Sequence, residues 1–351
     1  MRLTESTQST QSITRNLLIN QTNFDEIYKL YLYTNLDYLE FNDIKFSKSF
    51  KFPQLPTSLT KLKIFKCVLE YLESKLPDSL ESFICISSEL KKIPKLPETI
   101  KMVFVDDNKI EHIPKLADSI LELDVSDNPI QKINSFPPNL LSLGISNTKI
   151  KQFPKYPETI TKLNISKNKM QASKLLANLP PNLEYLDISY NNLESIGNLP
   201  DTLDALYIGN NKIRKIVKLP PKLTEFVCCN NYLYELPFIP DSVIHLEIQN
   251  NNIKNFVNFP LNLKYFHCHH NNLPQNLMKY FIENKNNILT VGFSFANTLM
   301  NIEKSKEMLL IIKKELMLKR DIICMHPNRV ARLLYNNEIS FDGDDERMKD
   351  L

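Results

Sequence analysis

The chain has 351 residues, with 43 Lys and Arg against 40 Asp and Glu, 42% hydrophobic residues and no Trp. Ordinary apolar content with a net charge of +3 excludes both wholesale disorder and a strongly basic polyanion binder. Its 21 prolines stand against only 5 glycines. Gly144, Gly197, Gly209, Gly292 and Gly343 are too scattered to cradle a phosphate, and the prolines exclude long helices through the middle of the chain.

The opening MRLTESTQSTQSITRNLLINQ is polar and lacks the apolar core of a secretory signal, and no later stretch reaches the ~18 apolar residues of a membrane span. Residues 1–31 are expected to be a polar N-terminal segment, with ITRNLLINQTNFDEIYKLYL serving as a short cap. One alternative places this segment over Ile84, Ile86 and Phe104.

From Leu55 onward the chain repeats. LPDSLESFICISSELKKIPK (76–95), LPETIKMVFVDDNKIEHIPK (96–115), LADSILELDVSDNPIQKINS (116–135) and FPPNLLSLGISNTKIKQFPK (136–155) align without gaps at 20 residues. The ladder continues from Tyr156, Leu179, Leu199, Leu219, Ile239 and Phe259. Eleven clear units result, and a weaker one around Leu36, Leu39 and Phe41 precedes them. Numbered from its first residue, the unit reads L-P-x-x-L-x-x-L-x-I-x-x-N-x-I-x-x-I-P-x. Apolar positions 8 and 10 alternate with polar ones, which predicts one short strand per unit and a stacked parallel sheet. Position 13 is Asn in eight units (Asn108, Asn128, Asn168, Asn191, Asn211, Asn231, Asn251 and Asn271). This column is expected to bend the chain out of the strand and to satisfy backbone groups inside a dry stack. Seventeen prolines at positions 2, 3 and 19 predict an extended, non-helical convex side.

These segments resemble the leucine-rich repeat family, whose LxxLxLxxNxL signature is met as LTKLKIFKCVL, LEYLDISYNNL and LDALYIGNNKI. The variety they are most similar to is the short LPxxLxxLxxxxNxLxxLP type of bacterial effectors, and the Asn-rich composition is similar to amoebal and giant-virus arrays. The resemblance implies an α/β-type repeat solenoid over residues 32–275: a horseshoe with a parallel concave sheet, an extended convex side and a helical C-terminal cap. It also implies a non-catalytic module that binds a protein, in the cytoplasm, or in the host cytoplasm for a viral or effector protein.

Positions 7, 9 and 11 point out of the concave face, with position 12 at the rim. Apolar and basic residues come first (Lys61, Lys63, Phe65, Ile84, Ile86, Met102, Phe104), then acidic ones (Asp106, Asp107, Glu122, Asp124, Asp127), then an aromatic and histidine-rich group. The candidate partner-binding residues are Phe104, Asp106, Glu122, Asp124, Tyr185, Asp187, Tyr207, Glu225, His245, Glu247, Tyr265 and His267, since aromatic anchors beside charge are the composition of interface hot spots. FHCHHNN (266–272) invites a metal reading through His267, His269 and Glu247, but Cys268 is inward and too few ligands converge, so no metal and no cofactor is expected. Cys85, Cys228 and Cys268 fall at inward positions and read as reduced core residues, whereas Cys229 alternates outward and is expected to be exposed. Ser189 and His245 have no acid partner in register, so no catalytic triad is expected.

Residues 276–351 are expected to form a helical cap with an acidic tail. QNLMKYFIENKN has helical spacing, LMNIEKSKEMLLIIKKELMLKR (299–320) is an amphipathic helix candidate, and RVARLLYNN could form a last short helix. The alternative function is a ubiquitin-ligase adaptor or effector with its activity in this region. The large ligase domain of the similar bacterial effectors exceeds the roughly 75 residues that remain, and Cys324 carries no matching motif. Turn lysines such as Lys91, Lys92, Lys115 and Lys151 make nucleic acid a third and weaker reading.

Overall fold

In the computed structural model, residues 14–47, 49–169, 176, 179–255, 257–273 and 290–292 are described. The chain winds as a solenoid of about twelve turns, and each turn adds one strand to a single parallel sheet in chain order. The strands are β1 (Asn16–Ile19), β2 (Tyr38–Asn42), β3 (Lys61–Phe65), β4 (Ser82–Ile86), β5 (Met102–Phe104), β6 (Glu122–Asp124), β7 (Ser142–Gly144), β8 (Lys162–Asn164), β9 (Tyr185–Asp187), β10 (Ala205–Tyr207), β11 (Glu225–Val227), β12 (His245–Glu247), β13 (Tyr265–His267) and β14 (Thr290–Gly292). Strands β3 to β13 are the eleven repeats, and β2 is the weak unit before them. The sheet extends one strand further at each end. The C-terminal helix candidates and Cys324 lie outside the described residues.

The core is a column of inward side chains. In one unit Leu203, Leu206, Ile208 and Ile213 are all fully buried, and the same positions are buried in its neighbours. Each such residue contributes about 1.5–3 kcal/mol when removed from water, and no unit can bury them alone, so the stability resides in the stacking.

What ends each strand differs from the sequence expectation. The turn out of the strand is made at position 12, one residue before the asparagine. Asp43, Lys66, Ser87, Asp107, Asp127, Asn147, Lys167, Tyr190, Asn210, Asn230, Asn250 and His270 all have φ between 49° and 58°. Seven of these twelve are Asn or Asp, the residues that tolerate left-handed backbone at the least cost after glycine. Eleven of these twelve amides then donate to the position-11 carbonyl of the next unit, as in Tyr190 N to Gly209 O at 2.9 Å and Asn210 N to Cys229 O at 2.8 Å.

The asparagine at position 13 acts as a brace between units. The Asn128 side-chain amide donates to Val105 O of the preceding unit (2.8 Å) and to Val125 O of its own (3.1 Å), while its oxygen accepts from Ile110 N (2.9 Å). Asn108, Asn211, Asn231 and Asn251 repeat the pattern. Three units lack asparagine there and use smaller donors. Cys67 Sγ reaches Phe65 O, Ser88 Oγ accepts from Cys67 N and donates to Ile86 O, and Thr148 Oγ1 donates to Asn168 Oδ1.

A second ladder runs along the opposite corner. In eight units the position-5 amide donates to the position-2 proline carbonyl, closing a tight turn in which that proline is the first residue. Ile120 bonds Ala117 in the same way, so the turn forms without proline. Position 4 is Ser, Thr or Asn in ten of eleven units. Its side chain donates to a carbonyl of the unit before, for example Ser79 to Leu59 O, Ser119 to Ile100 O and Thr202 to Leu183 O, at 2.6–2.7 Å.

The N-terminal end is closed by β1 and a 3₁₀ helix, Gln21–Leu32. Asn20 caps this helix by accepting from Thr22 N, and Asn23 accepts from Asn20 N in return. Ile19, Ile27 and Leu30 are buried, and Phe24 packs on Phe46 and Phe50 beside Phe41 and Phe52, with centroids 4.9–6.0 Å apart along this ring cluster. Residues 14–32 thus add a strand and a packed helix beside the weak unit.

Two outcomes follow for stability. Asn128→Leu removes the partner of Ile110 N and of Val125 O and one of two donors to Val105 O, and should cost about 2–3 kcal/mol in denaturant unfolding, whereas Asn139→Leu, on an exposed turn, should cost well under ~1 kcal/mol. Tyr190→Asn relieves a bulky residue of left-handed backbone and should raise the unfolding midpoint, while Asn210→Val should lower it by about 1–2 kcal/mol.

Candidate functional site: the concave sheet

Positions 7 and 9 of successive strands form two rows across the concave face, held in register by the parallel ladder. One row runs Tyr185, Ala205, Glu225, His245, Tyr265, and the other runs Asp187, Tyr207, Val227, Glu247, His267. Phe104, Asp106, Glu122, Asp124, Tyr185, Glu225, His245, Glu247, Tyr265 and His267 are half-buried on this face. Two candidates are not available to a partner. Asp187 is 2% exposed and Tyr207 3% exposed.

Their burial has local causes. The Asp187 carboxylate accepts from Ser189 N (2.9 Å) and Ser189 Oγ (2.6 Å), folding back over its own strand end. Asp124 accepts from Ser126 N in the same way, as does Asn164 from Ser166 N. The sequence signal is Asx at position 9 with Ser at position 11, visible in LDVS, LNIS and LDIS. Asp124 needs Gly144 beside it, because a Cβ there would meet the carboxylate carbon at 2.5 Å. Tyr207 is covered by Tyr185, with ring centroids 5.3 Å apart.

Cys229 is likewise buried, contrary to the alternation argument: a Cβ on Gly209 would lie 3.0 Å from its sulfur, so the thiol fills the space glycine leaves in the adjacent strand. Burial pushes the Cys229 thiol up to about 12 and the Cys67 thiol up to about 11. Cys67, Cys85, Cys228, Cys229 and Cys268 are all unbridged and buried. Lys63, placed outward by its position, is buried against Glu40 at 2.9 Å.

Over β11 to β13 the concave side chains bind one another. His245 Nδ1 is 3.0 Å from Glu225 Oε1, and its Nε2 is 3.0 Å from Glu247 Oε1. Gln249 Nε2 donates to Glu247 Oε2 at 2.9 Å, and His267 Nδ1 stands 3.9 Å from Glu247. Burial disfavours the imidazolium of His245, but the hydrogen bonds to the two carboxylates outweigh it and push its pKa up to about 9. Burial also opposes ionisation of Glu225 and Glu247, and the bonds from His245 again prevail, leaving both below the usual carboxylate value. His267 is held below its usual value by burial. Among the described residues no group of three or more His, Cys, Asp or Glu is arranged to hold a metal ion.

Several of the turn lysines are interleaved with acids. Lys91 pairs with Glu70 (2.7 Å), Lys109 with Glu89 (2.9 Å), Lys218 with Asp201 (3.3 Å) and Lys215 with Glu235 (3.8 Å). These pairs are largely exposed and add little stability, but they break up the basic surface a nucleic acid would need. No helix among the described residues is long and apolar enough to cross a membrane.

A family profile described as leucine-rich repeat matches residues 180–197. No curated protein matches the chain. Among solved structures, YopM from Yersinia enterocolitica WA-314 is similar at 25% identity over 76% of this chain and 67% of its own, with a TM-score of 0.53. The leucine-rich repeat domain of APL1B is similar in fold at 19% identity over 86% of this chain and 95% of its own, with a TM-score of 0.54. With its eleven aligned units, its asparagine column and its single parallel sheet, the chain has the leucine-rich repeat fold in short 20-residue units and resembles bacterial effector arrays.

Proposed function

We propose that this protein is a non-catalytic scaffold that holds a protein partner on its concave sheet, in the cytoplasm. The observation that carries this reading is the contrast between the two surfaces of each strand. The inward residues are committed to the stack, while Lys61, Ile84, Met102, Phe104, Glu122 and Asp124 on β3 to β6, and Tyr265 on β13, keep apolar and charged surface open on a rigid face. A preformed face of this kind loses little entropy on binding. The buried, unbridged cysteines support a reducing compartment.

Capture from cell extract with the intact array, compared with Phe104→Ala, Tyr185→Ala and Tyr265→Ala, tests it. At least one of these concave changes should abolish recovery of a partner that Val217→Ser and Phe238→Ser, on the exposed convex side, leave unchanged. Recovery that follows the convex changes instead would overturn the reading.

The histidine network ties part of this face to pH. Because the folded pKa of His245 lies above its ordinary value of 6.5, its contribution is complete below that value and is lost as pH rises through about 9. Glu225 and Glu247, with lowered pKa values, contribute above the usual carboxylate range and lose that contribution as pH falls. The wild type should therefore lose up to about 3 kcal/mol relative to His245→Gln between pH 6.5 and 9.5, read by denaturant unfolding at each pH.

A further inference from the structure

The N-terminal third of the concave sheet carries an apolar patch that the described parts of the chain leave open. Phe65 lies beside Ile86 across β3 and β4, and Ile84 lies beside Phe104 across β4 and β5, where Met102 stands next to Ser82. Positions 7, 9 and 11 share one face of the sheet, so all five apolar side chains project together, and all five are half-buried. The 3₁₀ helix does not cover them, since its Phe24 packs on Phe46 and Phe50 at the end of the array.

The next strand changes character. Glu122 is paired with Met102 and Asp124 with Phe104, so carboxylates begin one strand spacing, about 4.8 Å, from the apolar patch. Asp107 and Asp127 stand at the rim of the same units. Glu122, Asp107 and Asp127 form no ion pair with any Lys, Arg or His among the described residues. Lys63 is held by Glu40 at 2.9 Å, and it and Lys66 lie 5.4 and 5.0 Å from the Phe65 ring, so the patch's own cations stand at its β3 edge, away from the carboxylates of β6. Farther along, the carboxylates of Glu225 and Glu247 already share a cationic partner, His245.

Resting on the concave-face reading, we propose that this region takes a basic polypeptide segment with an apolar anchor, its aliphatic or aromatic side chain on Phe65, Ile84, Ile86, Met102 and Phe104 and its Lys or Arg side chains over Glu122, Asp107 and Asp127. The apolar patch supplies the anchor site, and the adjacent carboxylates supply the charge complementarity that sets orientation and repels acidic ligands. A phosphate backbone would meet the same carboxylates and be repelled.

Selection of displayed random short peptides on the full chain tests this. Enriched sequences should place an aliphatic or aromatic residue next to Lys or Arg, and a synthetic peptide from that set should bind less tightly as salt rises. Glu122→Lys and Phe104→Ser should each weaken it by roughly tenfold or more with an unchanged thermal midpoint. A charge-inverted peptide should bind Glu122→Lys better than the wild type. Enrichment of acidic or uncharged sequences, no enrichment, or basic peptides that bind both variants like the wild type would each overturn the proposal. If it fails while partner capture still depends on Tyr185 or Tyr265, the concave-face reading stands without it. If capture is also indifferent to those residues, that reading falls too.

Discussion

Each turn of this solenoid leaves polar backbone groups inside an apolar stack, and they are satisfied by an asparagine that belongs to the following turn. Asn211 reaches Ile188 O and Leu193 N of the unit before it while holding Ile208 O of its own. One side chain thus closes three buried groups in two units, and neither unit is complete without the other. A non-helical convex side makes this necessary. A unit with a helix would satisfy its backbone within itself, whereas an extended one must look sideways. The position-4 hydroxyls and the position-12 amides obey the same demand, and all three ladders link a unit to its neighbour.

That arrangement locates where the fold is exposed to failure. Interior units are braced on both sides, but the first and last have a face with no neighbour. At the N-terminal end the solution is aromatic: Phe24, Phe41, Phe46, Phe50 and Phe52 replace the regular leucine column with larger rings, and β1 pairs the otherwise open edge of β2. The weak unit is irregular in sequence because it serves as the seam between cap and array.

The repeat length, the strand positions and the asparagine column could be read from the sequence because one residue type recurs at one position. The position-4 ladder was equally regular but concealed, since Ser, Thr and Asn share the role and no single letter repeats. The bend was assigned to the asparagine itself, because its frequency drew attention away from position 12, where Lys167, Tyr190 and His270 adopt the same left-handed backbone as Asn210. Alternation along a strand told which side chains leave the core and said nothing of how they meet across strands. Asp187, Tyr207 and Cys229 therefore read as outward residues, yet they are buried by Ser189, by Tyr185 and by the space above Gly209.

This lateral packing divides the concave face by function. In the later strands the outward residues are large and complementary to one another, so Glu225, His245 and Glu247 pair among themselves, with the Gln249 amide donating to Glu247, and behave as an extension of the framework. In the earlier strands apolar residues face apolar residues, and Glu122, Asp107 and Asp127 adjoin them with no Lys, Arg or His paired to them among the described residues, Asp107 and Asp127 accepting neutral hydrogen bonds from Ser87 and Asn147. A surface whose polar groups are already paired gains little from a partner, because a new contact must first break an old one. A carboxylate without a cationic partner beside an open apolar patch has no ion pair to give up. Recognition by a rigid array of this kind is set less by which residues point outward than by which of them the array has left unmatched.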